Sequence, residues 1–119
     1  MNSPTLHASD WWEKCASLFD ELLADAVGML AGLGMYSAKL FRQGLGLNKD
    51  ATLMHNARAE VYVSNLKPED HMRAFLAVLE RAEELEKLLN DGCLPREPMP
   101  LLQILVRQRL NQPITVCGA

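Results

Sequence analysis

Residues that could do chemistry are scattered along this chain rather than gathered into a motif. Its three histidines, His7, His55 and His71, fall on different predicted segments, without a His-x-x-x-His spacing. No Cys-x-x-Cys spacing is present either. Metal sites and catalytic centres require several ligands, or an acid and a base, that converge on one point. The sequence therefore predicts no metal site, no cofactor site and no catalytic residue, as in a protein that is not an enzyme.

Two local patterns allow a chemical interpretation beside an ordinary structural one. Glu69, Asp70 and His71 could form a catalytic cluster, but acidic residues are also typical of the first turn of a helix. The glycines of Gly44-Leu45-Gly46 lack the preceding strand and the third glycine of a dinucleotide-binding loop. The structural interpretation is favoured for both, namely a solvated helix start and a helix stop.

Composition limits the chain to one domain without a strong charge. It has 119 residues, of which 49% are hydrophobic and 23% charged, and its net charge of −3 lacks the basic footprint of a nucleic-acid binder. Its three cysteines, Cys15, Cys93 and Cys117, form no close pair, which favours a reducing, cytoplasmic setting. The apolar stretch from Leu22 to Leu33 contains Asp25 and is shorter than the roughly 20 residues of a membrane helix.

Hydrophobic spacing predicts an all-α fold, a bundle of four main helices plus a short connecting helix. The first helix starts at Asp10, an N-cap with Glu13 three residues later, and a later one starts at Pro68. The predicted helices cover about 10–33, 36–45 (the connector), 48–65, 68–90 and 100–111. Residues 1–9 are predicted to be a flexible N-terminus, 10–112 the helical bundle, and 113–119 a flexible tail.

The apolar rows of two predicted helices indicate the core. In the helix over 48–65, the residues expected to face inward are Leu53, Met54, Ala57 and Val61, with Tyr62 as a further candidate. In the helix that begins at Pro68, the expected buried face comprises Phe75, Leu76, Leu79, Ala82, Leu85, Leu88 and Leu89. Leu79 lies at the centre of this second row, so we expect it to be a core residue.

The first helix offers a candidate protein interface. Trp11 and Trp12 are adjacent, and neighbours on a helix diverge by about 100°, so both cannot easily enter one core. The predicted interface residues are Trp12, Phe19 and Leu23. The methionines offer a second possible interface. Their flexible thioethers can line an adaptable groove for a partner, although methionines also fill cores. The basic residues on the connector around Lys39, and those on the last helix, are interpreted as ordinary solvent-exposed side chains.

The order of the predicted elements resembles a known family. The segments that carry the resemblance are Leu22-Leu23-Ala24-Asp25-Ala26 after a Trp-rich start, Asn48-Lys49-Asp50, Leu66-Lys67-Pro68-Glu69, Leu79-Glu80-Arg81-Ala82 and Pro100-Leu101-Leu102-Gln103-Ile104-Leu105-Val106-Arg107. In order and spacing they resemble the C-terminal domain of the delta-prime subunit of the bacterial DNA polymerase III clamp loader. The resemblance covers about Trp11 to Leu110.

The resemblance implies a non-catalytic oligomerisation module, called a collar, in DNA replication. In that family the domain is a helical bundle that joins the collar domains of other clamp-loader subunits, which would be the partners of this chain. Direct nucleic-acid binding, membrane binding and a small-molecule substrate are not expected. The alternative is a small helical adaptor or secretion-type chaperone that binds a helix of a partner protein in a groove lined by methionine and leucine.

Overall fold

The computed structural model describes residues 16–55 and 57–115, and this part of the chain is all-α, as predicted. The five helices are α1 (Ala16–Leu33), α2 (Ala38–Leu45), α3 (Ala59–Tyr62), α4 (Pro68–Asn90) and α5 (Pro98–Leu105). Within the described residues the only β pairing is one isolated antiparallel bridge between Leu47 and Leu53. None of the described helices combines the length and apolarity that crossing a bilayer requires. The proposed N-cap at Asp10 lies outside the described residues.

The core lies between the two long helices, α1 and α4, and the shorter helices packed on them. α1 contacts α2, α3, α4 and α5, and α2 also packs on α4. Side chains spaced three and four residues apart on one helix face meet here, because that spacing brings them to one side of a helix. The largest fully buried side chains include Leu18, Leu22, Phe41, Leu45, Leu85, Leu101 and Leu105.

Specific hydrogen bonds fix α2 against the C-terminal half of α4. The Ser37 hydroxyl accepts the Leu40 amide at 3.2 Å and caps α2, and the Ala38 amide donates to Glu86 Oε1 at 2.7 Å. Tyr36 donates its hydroxyl proton to the carbonyl of Ala82 at 3.2 Å. Burial of this phenol raises the pKa of Tyr36, so it remains a donor. The N-terminal end of α2 is thereby held beside the end of α4.

Gly46 ends α2 in a conformation that favours glycine. Its φ is 81°, and its amide donates to the carbonyls of Arg42 and Gln43. A Cβ at this position would lie 2.8 Å from the backbone of Ala57. Both the left-handed backbone and the close approach of the next segment therefore require a residue without a side chain.

The predicted helix over 48–65 is wrong except for one turn, α3. Asp50 Oδ1 accepts hydrogen bonds from the Thr52 amide at 3.1 Å and from the Thr52 hydroxyl at 2.6 Å. The Asn48 amide donates to the Thr52 carbonyl at 2.8 Å, and Ala51 between them has a φ of 70°. Short polar side chains that bond to nearby backbone compete with helix formation. Here they close a tight loop where the sequence suggested helix caps.

The loop also changes which apolar residues of this segment are buried. Leu53, Met54 and Val61 were expected to face inward, but all three are exposed. The core instead takes up Leu47, Ala51, Ala59 and Val63. The apolar pattern of 48–65 has no single helical phase, so a helical reading of it selected the wrong residues.

The helices α4 and α5 both begin with proline. Pro68 follows the N-cap Lys67, as predicted, and Pro98 follows Glu97. Proline suits the first turn because the amides there have no partner within the helix. The last helix was predicted to begin at about residue 100, so Pro98 lay before it. In the structure both prolines belong to the first turn of α5.

The chain after α5 makes hydrogen bonds with the rest of the fold as far as Thr115. α5 ends at Leu105, earlier than predicted, and Gln108 donates to the carbonyl of Ile104 at 3.3 Å. Gln108 Oε1 also accepts the Thr115 amide at 3.0 Å. Ile114 is buried, and its amide donates to Glu84 Oε1 at 2.9 Å. Ile114 and Thr115, at the start of the tail predicted for 113–119, thus make specific contacts with α4 and with the segment after α5.

We expect Leu85→Ala to lower the free energy of unfolding by about 2 to 5 kcal/mol, because it removes a fully buried side chain of α4 and leaves a cavity. Val61→Ala is the matched control, since Val61 is exposed on α3 and its truncation should change stability by less than about 0.5 kcal/mol. Urea denaturation followed by circular dichroism measures both. A loss for Val61→Ala as large as that for Leu85→Ala would contradict the assigned core.

Candidate functional site

A broad surface groove lies between α2 and α4. Its volume is about 1410 Å³, and it runs along α4 from Glu69 to Glu86. On its other side lie residues of α2 and the following turn, from Ser37 to Lys49. Ala38 and Ala77, one from each helix, are among its lining residues, and small side chains allow close approach of an occupant. We call this feature the α2–α4 groove.

An apolar row on α4 faces the α2–α4 groove. Met72 and Leu76, one helical turn apart, are 42% and 51% exposed. Leu79, three residues further on, is partly buried, packs against the core and also lines the groove. The prediction that Leu76 lies in the core is therefore wrong, whereas Leu79 does contact the core. The core face of α4 instead comprises Ala74, Phe75, Val78, Arg81, Ala82, Leu85 and Leu89.

The exposed row matters because α4 is apolar on two sides. One side is buried in the core, whereas the second side, which carries Met72 and Leu76, is exposed to solvent. Contiguous exposed apolar surface on a folded protein often marks a binding site. The groove therefore offers a surface that can dock a protein segment.

A buried arginine holds the C-terminal segment beside the groove. The Arg81 side chain is 4% exposed, and its Nη2 donates to Glu80 at 2.6 Å and to Glu84 at 2.7 Å. Its Nη1 donates to the carbonyl of Leu110 at 3.3 Å, while its Nε finds no partner among the described residues. Glu84 in turn accepts the Ile114 amide. One guanidinium thus joins α4 to the segment that follows α5.

Two carboxylates on α1, Glu21 and Asp25, change each other's acidity. Burial, then a hydrogen bond with Glu21 and the charge of Glu21, raise the pKa of Asp25 from 3.8 to about 6. Burial acts to raise the pKa of Glu21, but hydrogen bonds with Asp25, Arg58 and Tyr62 lower it overall. Carboxylates with separated pKa values are a pattern of general acid and base catalysis. The surroundings of this pair therefore decide its role.

The surroundings indicate a structural clamp. Glu21 accepts Arg58 Nη2 at 2.9 Å and the Tyr62 hydroxyl at 3.0 Å, so its oxygens are engaged by the α3 segment. Arg58 also donates to the carbonyl of Gly44 at 3.1 Å. Neither Glu21 nor Asp25 lines the α2–α4 groove. The cluster fastens the short α3 to α1 and to the end of α2.

The acidic and histidine residues at the start of α4 do not converge. His71 Nε2 lies 3.2 Å from the carbonyl of Leu66, so this nitrogen donates, and its ring packs 6.4 Å from that of Phe75. Asp70 instead faces Arg73, at 3.8 Å. Within residues 16–55 and 57–115, no three His, Cys, Asp or Glu side chains are grouped so that they could hold a metal ion.

The predicted interface residues lie away from the α2–α4 groove or outside the description. Trp12 is not among the described residues. Phe19 and Leu23 are 6% and 5% exposed and belong to the core cluster. The small surface they retain lines a pocket of about 160 Å³ together with Val106 and Leu110. Phe19 and Leu23 thus contribute mainly to internal packing, and an interface through them stays a prediction.

The sequence analysis missed the exposure of Leu76 and the burial of Arg81. A signal for Leu76 was present, because Met72, Leu76 and Leu79 form a second apolar row beside the row through Phe75 and Ala82. One helix cannot bury two such rows against a single neighbour. Arg81 carried no comparable signal, since its burial depends on where Leu110 and Glu84 meet it.

Comparison of the chain with models of protein families, with characterised proteins and with solved structures finds no match. The chemistry of the described surface is therefore the basis for a functional proposal.

We expect Arg81→Ala to lower the free energy of unfolding by about 2 to 4 kcal/mol, because it leaves Glu84 Oε2 and the Leu110 carbonyl without their donor. Lys87→Ala on the same helix is the control, since this side chain is exposed near the end of α4 and should matter by less than about 0.5 kcal/mol. Thermal denaturation measures both. Equal losses would refute the special role of Arg81.

Asp25→Asn should stabilise the protein near neutral pH. The raised pKa means that the folded state holds a proton between about pH 4 and 6 that the unfolded state has released, so this site costs stability as pH rises through that range. Because the carboxylate is partly solvated, we expect a gain of only about 1 kcal/mol at pH 7 and almost none at pH 4. Asp20→Asn, an exposed change on the same helix, is the control. Urea unfolding at both pH values measures the difference, and a gain of equal size at pH 4 and pH 7 would contradict it.

Proposed function

We propose that this chain is a non-catalytic protein-interaction module whose partner docks in the α2–α4 groove. The observation that carries the proposal is the exposure of Met72 and Leu76, which lie one helical turn apart on α4 and line the concave groove. Covering the exposed part of each side chain would contribute on the order of 1 kcal/mol. That is the scale of contribution expected at the centre of an interface, where apolar side chains enter a partner's surface.

The specific assembly that we propose is a clamp loader of the DNA polymerase III type, in the cytoplasm, with this chain acting as a collar. The sequence resemblance supports it, and an all-α unit with an open apolar groove suits a domain that joins other helical domains. In this proposal the partners are the other clamp-loader subunits. The chain would contribute contacts, and the nucleotide chemistry would belong to its partners.

The alternative is an adaptor or secretion-type chaperone that binds a helix of a client protein. Met72 favours it, since an unbranched thioether beside Leu76 can adapt to several client side chains. Both proposals use the same groove. They differ in whether the occupant is a fixed subunit or an exchangeable client.

The groove is tested by Leu76→Glu. This change places a charge in the apolar row, and we expect it to weaken partner binding at least about tenfold. Leu33→Glu is the matched control, because Leu33 is 63% exposed at the end of α1 and does not line the groove. Binding is measured by isothermal titration with the partner obtained by co-purification, and circular dichroism checks that both variants fold. Unchanged binding of Leu76→Glu, or equal loss in both variants, would overturn the proposal.

The assembly is tested by mixing the purified full chain with purified clamp-loader ATPase subunits. Co-elution on gel filtration that Leu76→Glu abolishes and Leu33→Glu preserves supports the collar. Absence of co-elution refutes the collar. A crosslink from the groove to a helix of an unrelated client would then support the adaptor.

A further inference from the structure

We infer that the α2–α4 groove selects a partner helix whose two flanks carry charges of opposite sign, acidic toward α2 and basic toward the C-terminal half of α4. This inference rests on the proposed function, because it specifies the occupant of the same groove. It follows from three features of the described residues, namely the charges of the two walls, the absence of ion pairs between them, and the length of the groove.

The wall formed by α2 and the following turn is basic. Its charged lining residues are Lys39, Arg42 and Lys49, and no carboxylate accompanies them on this wall within the described residues. Lys39 and Lys49 are exposed, whereas Arg42 also donates to the carbonyl of Leu47 at 2.9 Å. A partner helix therefore binds more tightly if the flank that faces this wall carries carboxylates.

The opposite wall is acidic along the C-terminal half of α4, whereas Glu69 and Arg73 line its N-terminal half with opposite charges. Glu80, Glu83 and Glu86 line it, and the one arginine there, Arg81, already binds Glu80 and also Glu84. The guanidinium therefore does not cancel Glu83. Glu86 accepts the Ala38 amide and adds its charge at the end of the groove. The flank of an occupant that faces this wall gains from lysine or arginine.

The two walls do not neutralise each other. Among the described residues, the salt bridges join α4 to itself or join Arg58, the residue before α3, to α1, and none joins α2 to α4. The lysines of one wall and the glutamates of the other thus line the same groove without pairing with each other. A ligand with both signs can pair with both walls, whereas a ligand of one sign meets repulsion from one of them.

The dimensions and the fold favour a helix as the occupant. The groove follows α4 over 17 residue steps from Glu69 to Glu86, about 26 Å at 1.5 Å per residue. A third helix lying on two packed helices completes a bundle in the usual way. An extended peptide would need an exposed strand edge for its backbone, and the described residues form no strand.

The experiment is a selection with displayed helical peptides of about 18 residues against the full chain. Each peptide keeps a row of leucines, and its two flanking rows vary among Lys, Glu and Gln. We expect enrichment of peptides with Glu on one flank and Lys on the other, in either chain direction. The matched selection uses Lys39→Glu/Lys49→Glu, which makes both walls acidic and should enrich peptides with Lys on both flanks.

A control separates groove charges from net charge. Lys67→Glu/Lys87→Glu reverses two exposed lysines that do not line the groove and changes the net charge equally. For a peptide selected on the unaltered chain, fluorescence anisotropy should show about tenfold weaker binding to Lys39→Glu/Lys49→Glu and less than about twofold weaker binding to this control. Added salt should reduce the difference, because the walls are solvated.

The outcomes distinguish this inference from the proposed function. If the enriched helices lose binding to Leu76→Glu but show no preference for the sign of the flanking charges, the inference is overturned and the groove remains the binding site. The same holds if they still bind after the charges of Lys39 and Lys49 are reversed. Binders insensitive to Leu76→Glu overturn both. Failure to enrich any helix overturns the inference. A concentration-dependent dimer abolished by Leu76→Glu, seen by sedimentation, would assign the groove to a second copy of this chain and also overturn it.

Discussion

The length of α4 relative to the other helices constrains the rest of this structure. α4 has 23 residues and α1 has 18, whereas α2 and α5 have eight each and α3 has four. The short helices cannot cover α4 along its whole circumference. The face through Phe75, Val78 and Leu85 is buried, and the face through Met72 and Leu76 remains open. The groove exists because the described part of the chain leaves this face uncovered.

The charged contacts serve to hold short segments that could not stand alone. An isolated helix of one or two turns is unstable in water, so α2 and α3 depend on tertiary contacts. Glu86 and Ser37 cap the start of α2, and Glu21 binds the side chains of Arg58 and Tyr62 around α3. The cost of this arrangement falls on Asp25, which is left beside Glu21 with a raised pKa. A raised carboxyl pKa is also found in catalytic sites, but here Glu21 holds the α3 segment against α1 through its hydrogen bonds.

Arg81 connects the fold to the proposed site. Its charge is buried in the core face of α4, where three acceptors hold it, and one of them is the carbonyl of Leu110 beyond α5. The same cluster neutralises Arg81, the arginine in the acidic C-terminal half of the α4 wall. The contacts of Arg81 thus both stabilise the fold and affect the charge of the groove. The exposed lysines of the other wall make none of these contacts.

The sequence by itself determined the all-α fold, the end of α2, the start of α4 and much of the core row of α4, because periodicity and capping act within a few residues. It failed over 48–65, where hydrogen bonds among Asn48, Asp50 and Thr52 favour a loop over a helix. It also assigned Leu76 to the core, since an apolar residue on a helix does not reveal whether another helix covers it. Only the tertiary structure decided which apolar row stayed open and which charges faced it, because both depend on contacts between residues distant in the chain.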